Sequence, residues 1–166
     1  MLYKLIVLYM IKIAGIPLTN ADISEHILGK GYTDSMTLQL TLSELTEISL
    51  VTSTKKHNRT YFDITPDGLD TINSLESKLS QEIRSEIEKY LSINIPTIKN
   101  DHSIQAGYIQ NKNGEFECEF RALDKKGELM NLHLTLPTEN LAKTACDNFK
   151  NNNEAIYQFL INELLK

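Results

Sequence analysis

The sequence contains no tryptophan, only 7% aromatic residues, two cysteines and four prolines. So few aromatic residues make any core aliphatic. Cys118 and Cys146 form no CxxC or other metal-ligand spacing, so they read as small buried hydrophobes of a reducing compartment, not as a disulfide or a zinc site. The chain also lacks a basic excess. It has 17 Lys and Arg against 22 Asp and Glu, a net charge of −5, whereas a strongly basic chain would point directly at nucleic acid. There is no GxSxG, P-loop or GxGxxG. None of His26, His57, His102 and His133 stands in a metal-ligand spacing with another His, Cys or carboxylate pair. Asp22, Glu25 and His26 share a stretch that a capped surface helix explains. No enzymatic chemistry, metal or cofactor is therefore expected. Long hydrophobic runs are missing too. Leu5 to Ile11 spans seven residues before Lys12 breaks it, at or below the minimum for a signal-peptide core and far below the roughly 20 residues of a membrane helix. The sequence predicts a cytoplasmic protein with a buried first helix and no membrane partner.

What is present suits one domain or two small ones. The chain has 166 residues, 41% hydrophobic and 23% charged, enough apolar content for a real core. Charge is unevenly spread. Residues 1–64 carry six basic and six acidic residues, and residues 65–166 carry eleven and sixteen. Only the N-terminal part could form a DNA surface without working against excess negative charge.

Residues 3–14 suit a helix ended by Gly15 and Pro17. Thr19 or Asn20 can cap a second, Ala21 to Leu28, closed by Gly29 and Gly31. Thr33 or Asp34 can cap a third, running to about Ile48, with Leu38, Leu42 and Leu45 on one stripe. Leu50 to Ser53 then reads as a strand, residues 54–59 as a polar basic turn, and Thr60 to Ile64 as a returning strand. Three helices followed by a hairpin is the winged helix-turn-helix order, in which the third helix enters the major groove and the hairpin lies along the backbone. With the leucine stripe inward, the outer face holds Ser35, Met36, Thr37, Gln39, Leu40 and Ser43. Their hydroxyls and amide suit base edges or phosphates, and Met36 or Leu40 suits a thymine methyl. Lys55, Lys56, His57 and Arg59 suit phosphates. Against this, no Lys or Arg lies between Lys30 and Lys55, and Glu44 and Glu47 make the third helix acidic.

Thr65 and Pro66 open a further helix. Leu69, Ile72, Leu79, Ile83, Ile87 and Tyr90 continue an apolar stripe, predicting one helix over 67–92, about 39 Å long at 1.5 Å per residue, ended by Pro96. The stripe has two readings: packing back on its own winged helix and on the C-terminal domain, or pairing with the same helix of a second chain. The second is preferred, as a homodimer would set two third helices one DNA turn apart. Farther on, Ile104, Ala106 and Tyr108, then Phe116, Cys118, Phe120 and Ala122, then Met130, Leu132, Leu134 and Leu136 alternate with polar residues. Asn113-Gly114 and the stretch 124–127 are turns. Helices follow to about Phe149 and from about Glu154 to Leu165. This predicts an antiparallel β-β-β-α-α domain with one wet face bearing Glu115, Glu117, Glu119, Arg121, Asn131, His133 and Thr135.

The fold class predicted is thus α+β: a winged helix-turn-helix over 1–65, a long linking and dimerisation helix over 66–93, and a C-terminal α+β domain over 97–166. Pro17-Leu18-Thr19-Asn20, the stretch Tyr32 to Val51, and Tyr61-Phe62-Asp63-Ile64-Thr65-Pro66-Asp67-Gly68 resemble an uncharacterised bacterial family with a winged-helix N-terminus, over nearly the whole chain. Thr65-x-x-Gly68 is also similar to the hairpin-to-helix junction of phenolic-acid-repressor and multiple-antibiotic-resistance regulators. That resemblance implies dimeric DNA-binding repressors, often with a small-molecule ligand. Ser49 departs from the Gly usual there and implies a slightly different turn. The partners expected are double-stranded DNA, a second copy of the chain, and a small-molecule or protein effector at the C-terminal domain. The alternative is a winged-helix module that binds protein without DNA.

Overall fold

The computed structural model describes residues 1–56, 59–124 and 126–166. It is an α+β chain with two separate three-stranded antiparallel sheets. It divides into two compact units, Met1–Ile95 and Pro96–Lys166. No helix among the described residues is long and apolar enough to cross a membrane.

The first unit is built round α1 (Leu2–Ala14), whose seven residues Leu5 to Ile11 are all buried. A helix buried on every side must be apolar all round, which accounts for the uninterrupted run. Gly15 ends it in the left-handed conformation, φ 65°. β1 (Leu18–Thr19) follows, then α2 (Asn20–Gly29) and α3 (Ser35–Glu47). Thr19 caps α2 reciprocally: its hydroxyl accepts from the Asp22 amide at 3.2 Å, and the Asp22 carboxylate accepts from the Thr19 amide at 2.8 Å. β2 (Val51–Lys56) and β3 (Arg59–Ile64) form a hairpin, and β1 pairs with β3, giving the order β1-β3-β2. The short β1 was not anticipated, since two residues beside Pro17 carry no alternation to read.

Between α3 and β2, Ile48 caps the helix and Ser49 takes φ 59°. The Leu50 amide donates to the Leu45 carbonyl at 3.0 Å and the Ser49 amide to Thr46 at 3.1 Å. This is the left-handed helix ending that glycine normally makes. The turn is therefore not a different one, as Ser49 had implied; serine adopts the glycine conformation at a steric cost. Ser49→Gly is expected to stabilise the unit by about 0.5–1 kcal/mol, after allowing for glycine's greater freedom in the unfolded chain. A urea titration followed by circular dichroism checks this.

The single long helix over 67–92 is not observed. α4 (Pro66–Leu75) ends in a 3₁₀ turn, Glu76–Lys78, and Leu79 is extended at ψ 133°. α5 (Gln81–Ser103) then starts afresh, with the Ser80 hydroxyl accepting from the Ile83 amide at 3.3 Å. The Glu76 carboxylate anchors the turn, bonded to Lys12 at 2.6 Å and Arg84 at 3.4 Å. The break lets Ile72, Leu79, Ile87 and Leu91 all enter the core of their own chain. Pro96 does not end the helix either; α5 runs past it to Ser103, and the proline marks the junction of the two units.

The second unit is a meander of β4 (Ile104–Gln110), β5 (Phe116–Asp124) and β6 (Gly127–Leu136), in that order across the sheet. α6 (Glu139–Leu164) is capped by Thr138 and broken by the non-helical Asn152, so it is two helical segments, as the asparagine run 151–153 predicted. Ala142, Cys146 and Phe149 pack on Cys118, Phe120, Ala122 and Met130. Both cysteines are free and buried, and burial pushes their thiols up from the ordinary value. Arg121, expected on a wet face, is buried. Its guanidinium donates to Glu128 at 2.6 and 2.9 Å and to Gln105 at 3.1 Å, so its charge is neutralised and its donors are partnered.

Candidate nucleic-acid interface

α3 is positioned from both ends and from beneath. Asp34 caps it, accepting from the Thr37 amide at 2.9 Å and the Thr37 hydroxyl at 2.7 Å. These bonds, the backbone one foremost, hold the Asp34 carboxyl below its ordinary range. Leu38, Leu42 and Leu45 are buried, as the stripe predicted. Each buried leucine contributes about 1.5–3 kcal/mol to holding the helix down. Thr41, buried between them, donates to the Thr37 carbonyl at 2.8 Å.

That anchoring turns one face outward. Ser35, Gln39 and Ser43 are exposed, and Met36 and Leu40 are 83% and 58% exposed. Thr37 is half exposed, with its hydroxyl hydrogen donated to Asp34 in the cap. Gln39 donates to Asn20 on α2 at 2.9 Å, which ties the outer face of α3 to the start of α2. Of the two acidic residues that weakened this helix as an anion-facing element, Glu44 is paired with Lys4 of α1 at 3.0 Å. That contact, invisible in the local sequence, removes part of the negative charge.

The cations stand on the hairpin. They do not form the six-residue turn expected over 54–59. The strands continue through Lys55 and Lys56 and resume at Arg59, with Lys55 opposite Thr60 and Lys56 opposite Arg59. Their β-ladder was missed because the lysines have weak strand preference, and cross-strand pairing decides such positions. Lys55 and Lys56 are exposed and Arg59 is half exposed. As strand neighbours, Lys55 and Lys56 face opposite sides of the ribbon. Lys56 and Arg59 face the same side as direct cross-strand neighbours, which gathers two cations on one side of the ribbon. His57 lies outside the described residues.

Across the unit, His26 of α2 is buried with Tyr90 of α5 against it, ring centroids 4.4 Å apart, and Tyr32 edge-on at 5.9 Å. Its Nε2 has no hydrogen-bond partner. Burial, helped by Lys30 and opposed by Glu86, holds its pKa below 6.5. Burial also pushes Tyr90 up to about 12, and Tyr32 donates to Glu86, keeping that carboxylate low. A lowered histidine means the folded state binds fewer protons than the unfolded one. Stability is then full above about pH 6.5 and falls as pH drops toward the folded-state value. The His26 contribution is expected to disappear in His26→Phe, whose melting curves should vary less between pH 7.5 and 5 than those of the native chain.

A family model matches residues 3–164. The chain belongs to the family described as Domain of unknown function (DUF4364). An uncharacterised family was expected, and the match spans both units. No curated protein and no solved structure matches the chain at a significant level. The six positions proposed for dimerisation are only partly at the surface of this family member. Ile72, Leu79 and Ile87 are buried in the chain's own core, Ile83 and Tyr90 are half buried, and only Leu69 is exposed. Most of the stripe is therefore occupied inside its own chain.

Proposed function

We propose that residues 1–65 form a winged helix-turn-helix and that the protein is a cytoplasmic, DNA-binding transcriptional regulator acting as a homodimer. The observation that carries this is the outward face of α3 in the same unit as a hairpin that bears Lys55, Lys56 and Arg59. α3 is anchored by leucines and caps, so its outer residues are preorganised, and its side chains suit the edges and methyl groups of A·T pairs. The hairpin supplies what α3 lacks, cations for phosphates. Pairing of Glu44 with Lys4 lowers the electrostatic penalty of bringing α3 to DNA.

The test is a gel shift of the full chain on a pool of genomic fragments across a salt series. Selective binding with a log–log salt slope of about −0.9 per phosphate contact supports the proposal. No binding at low salt by folded protein overturns it. A second reading, a winged-helix module that docks on protein, is favoured by one observation: Met36 and Leu40 are open and α3 itself carries no cation. Salt-insensitive association with a protein, lost in Met36→Glu, would distinguish it.

A further inference from the structure

The C-terminal sheet carries its charge in the inverse of the usual pattern. Free edge strands ordinarily bear lysine, proline or bulges that prevent pairing, a guard that an inner strand does not need. Here the central β5 holds Glu117, Glu119, Arg121 and Asp124. The edge strand β6 is ten residues long, and from Leu129 to Leu136 it contains no Lys, Arg, Asp, Glu or Pro. Its register shift lies opposite Ala122 and Leu123, at its beginning, so Met130 to Leu136 pairs regularly with β5. Among the described residues no strand pairs with its outer side. The other edge, β4, is uncharged too, but it is shorter, and its helix-facing residues Ile104, Ala106 and Tyr108 are all half buried. On β6 the helix-facing Leu134 is 52% exposed. Met130 is buried and Leu132 and Leu136 are half buried against the core, so Leu134 is the one helix-facing residue from Met130 to Leu136 that α6 leaves exposed.

We propose that a second copy of this chain pairs antiparallel along β6, making one six-stranded sheet about a two-fold axis normal to it. Such an axis keeps each face on its own side. Leu132, Leu134 and Leu136 then continue into their symmetry mates, and Asn131, His133 and Thr135 do so on the other face. No like charges meet across the seam from Leu129 to Leu136, whereas a chain of net charge −5 repels its own copy over most of its surface. The edge is self-complementary in hydrogen bonding, hydrophobicity and charge, which favours a second copy over a foreign strand.

The inference rests on the homodimer in the proposed function and supplies a surface for it. Sedimentation equilibrium of the full chain, without DNA, tests it between 1 and 100 µM. The native chain is expected to be a dimer. Leu134→Lys and Thr135→Lys are each expected to weaken association at least 100-fold while keeping the native circular dichroism, since both positions are exposed. Ile109→Lys, on an exposed β4 position, should leave the dimer intact. A native monomer throughout this range, or a dimer that survives both folded lysine variants, overturns the proposal. Because no DNA is present, either failure is separate from loss of DNA binding in the gel shift.

Discussion

Replacing Lys55, Lys56 and Arg59 together with alanine is expected to weaken binding to duplex DNA on the order of 10²–10³-fold at 0.1 M salt. Each phosphate contact contributes roughly 0.9 to the log–log salt slope, so three contacts amount to almost three logarithmic units between 1 M and 0.1 M salt. The salt slope of the triple variant should be shallower by about three, with sequence preference largely kept, because phosphate contacts position a protein and base contacts specify. Stability should change little. All three side chains lie at the end of the ladder remote from the buried Val51, where Lys55 and Lys56 are exposed and Arg59 is half exposed. Native affinity in the folded triple variant would remove the hairpin from the interface and shift weight to protein docking at Met36 and Leu40.

The largest expected loss of stability comes from a single methyl group. A Cβ placed on Gly68 would lie 2.1 Å from the Leu50 carbonyl oxygen and 2.9 Å from Cγ1 of Ile64. The first neighbour is backbone and cannot rotate away. It is also engaged, accepting from the Thr65 amide and hydroxyl, both at 3.1 Å. The Thr65 hydroxyl in turn accepts from the Gly68 amide at 3.0 Å. Gly68→Ala must therefore push α4 away from the start of β2 and break the cap that begins the helix. The expected loss is about 3 kcal/mol or more, at the upper end of overpacking effects. In a unit of this size, Met1–Ile95, about 1 kcal/mol corresponds to roughly 4–8 °C, so the first unit should melt roughly 12–24 °C lower. Scanning calorimetry of the native chain and the variant checks this; an unchanged melting temperature would overturn it.

Thr65-x-x-Gly68 shows how a sequence pattern and its physical cause meet. The motif was legible as a junction because threonine, proline and glycine punctuate the chain strongly. Why glycine stands there was not legible, because the obstacle is a carbonyl eighteen positions away. The same division holds across the site. The outward face of α3 was legible from the spacing of Leu38, Leu42 and Leu45, and its cap from Asp34. The pairing of Glu44 with Lys4, the engagement of Gln39 by Asn20, and the extension of the hairpin strands through both lysines were not. Each depends on residues distant in sequence or on a strand partner, and local preference says nothing about either.

The apolar stripe from Leu69 to Tyr90 misled for a related reason. A helix that breaks and restarts at Ser80 can keep an almost unbroken hydrophobic period, because both halves feed one core. The cues were present in Ser80 as a cap and in Glu76 as a partner for two cations, but their strength depends on where Lys12 and Arg84 stand. Arg121 was placed correctly on the polar face of β5 by alternation; its burial depended on Glu128 and Gln105 converging on it.

The sequence by itself determined the order of helices and strands apart from β1 and the break between α4 and α5, and the inward stripe of α3, because hydrophobic period and turn chemistry act over a few residues; the core of the second unit, expected to be aliphatic, instead centres on Phe120 and Phe149 with Cys118 and Cys146. Tertiary structure alone decided that the linking stripe belongs to the chain's own core, that β6 is left with an open edge, and that the hairpin cations stand on paired strands. Those outcomes depend on which distant surfaces meet and on which are left over once the core is full.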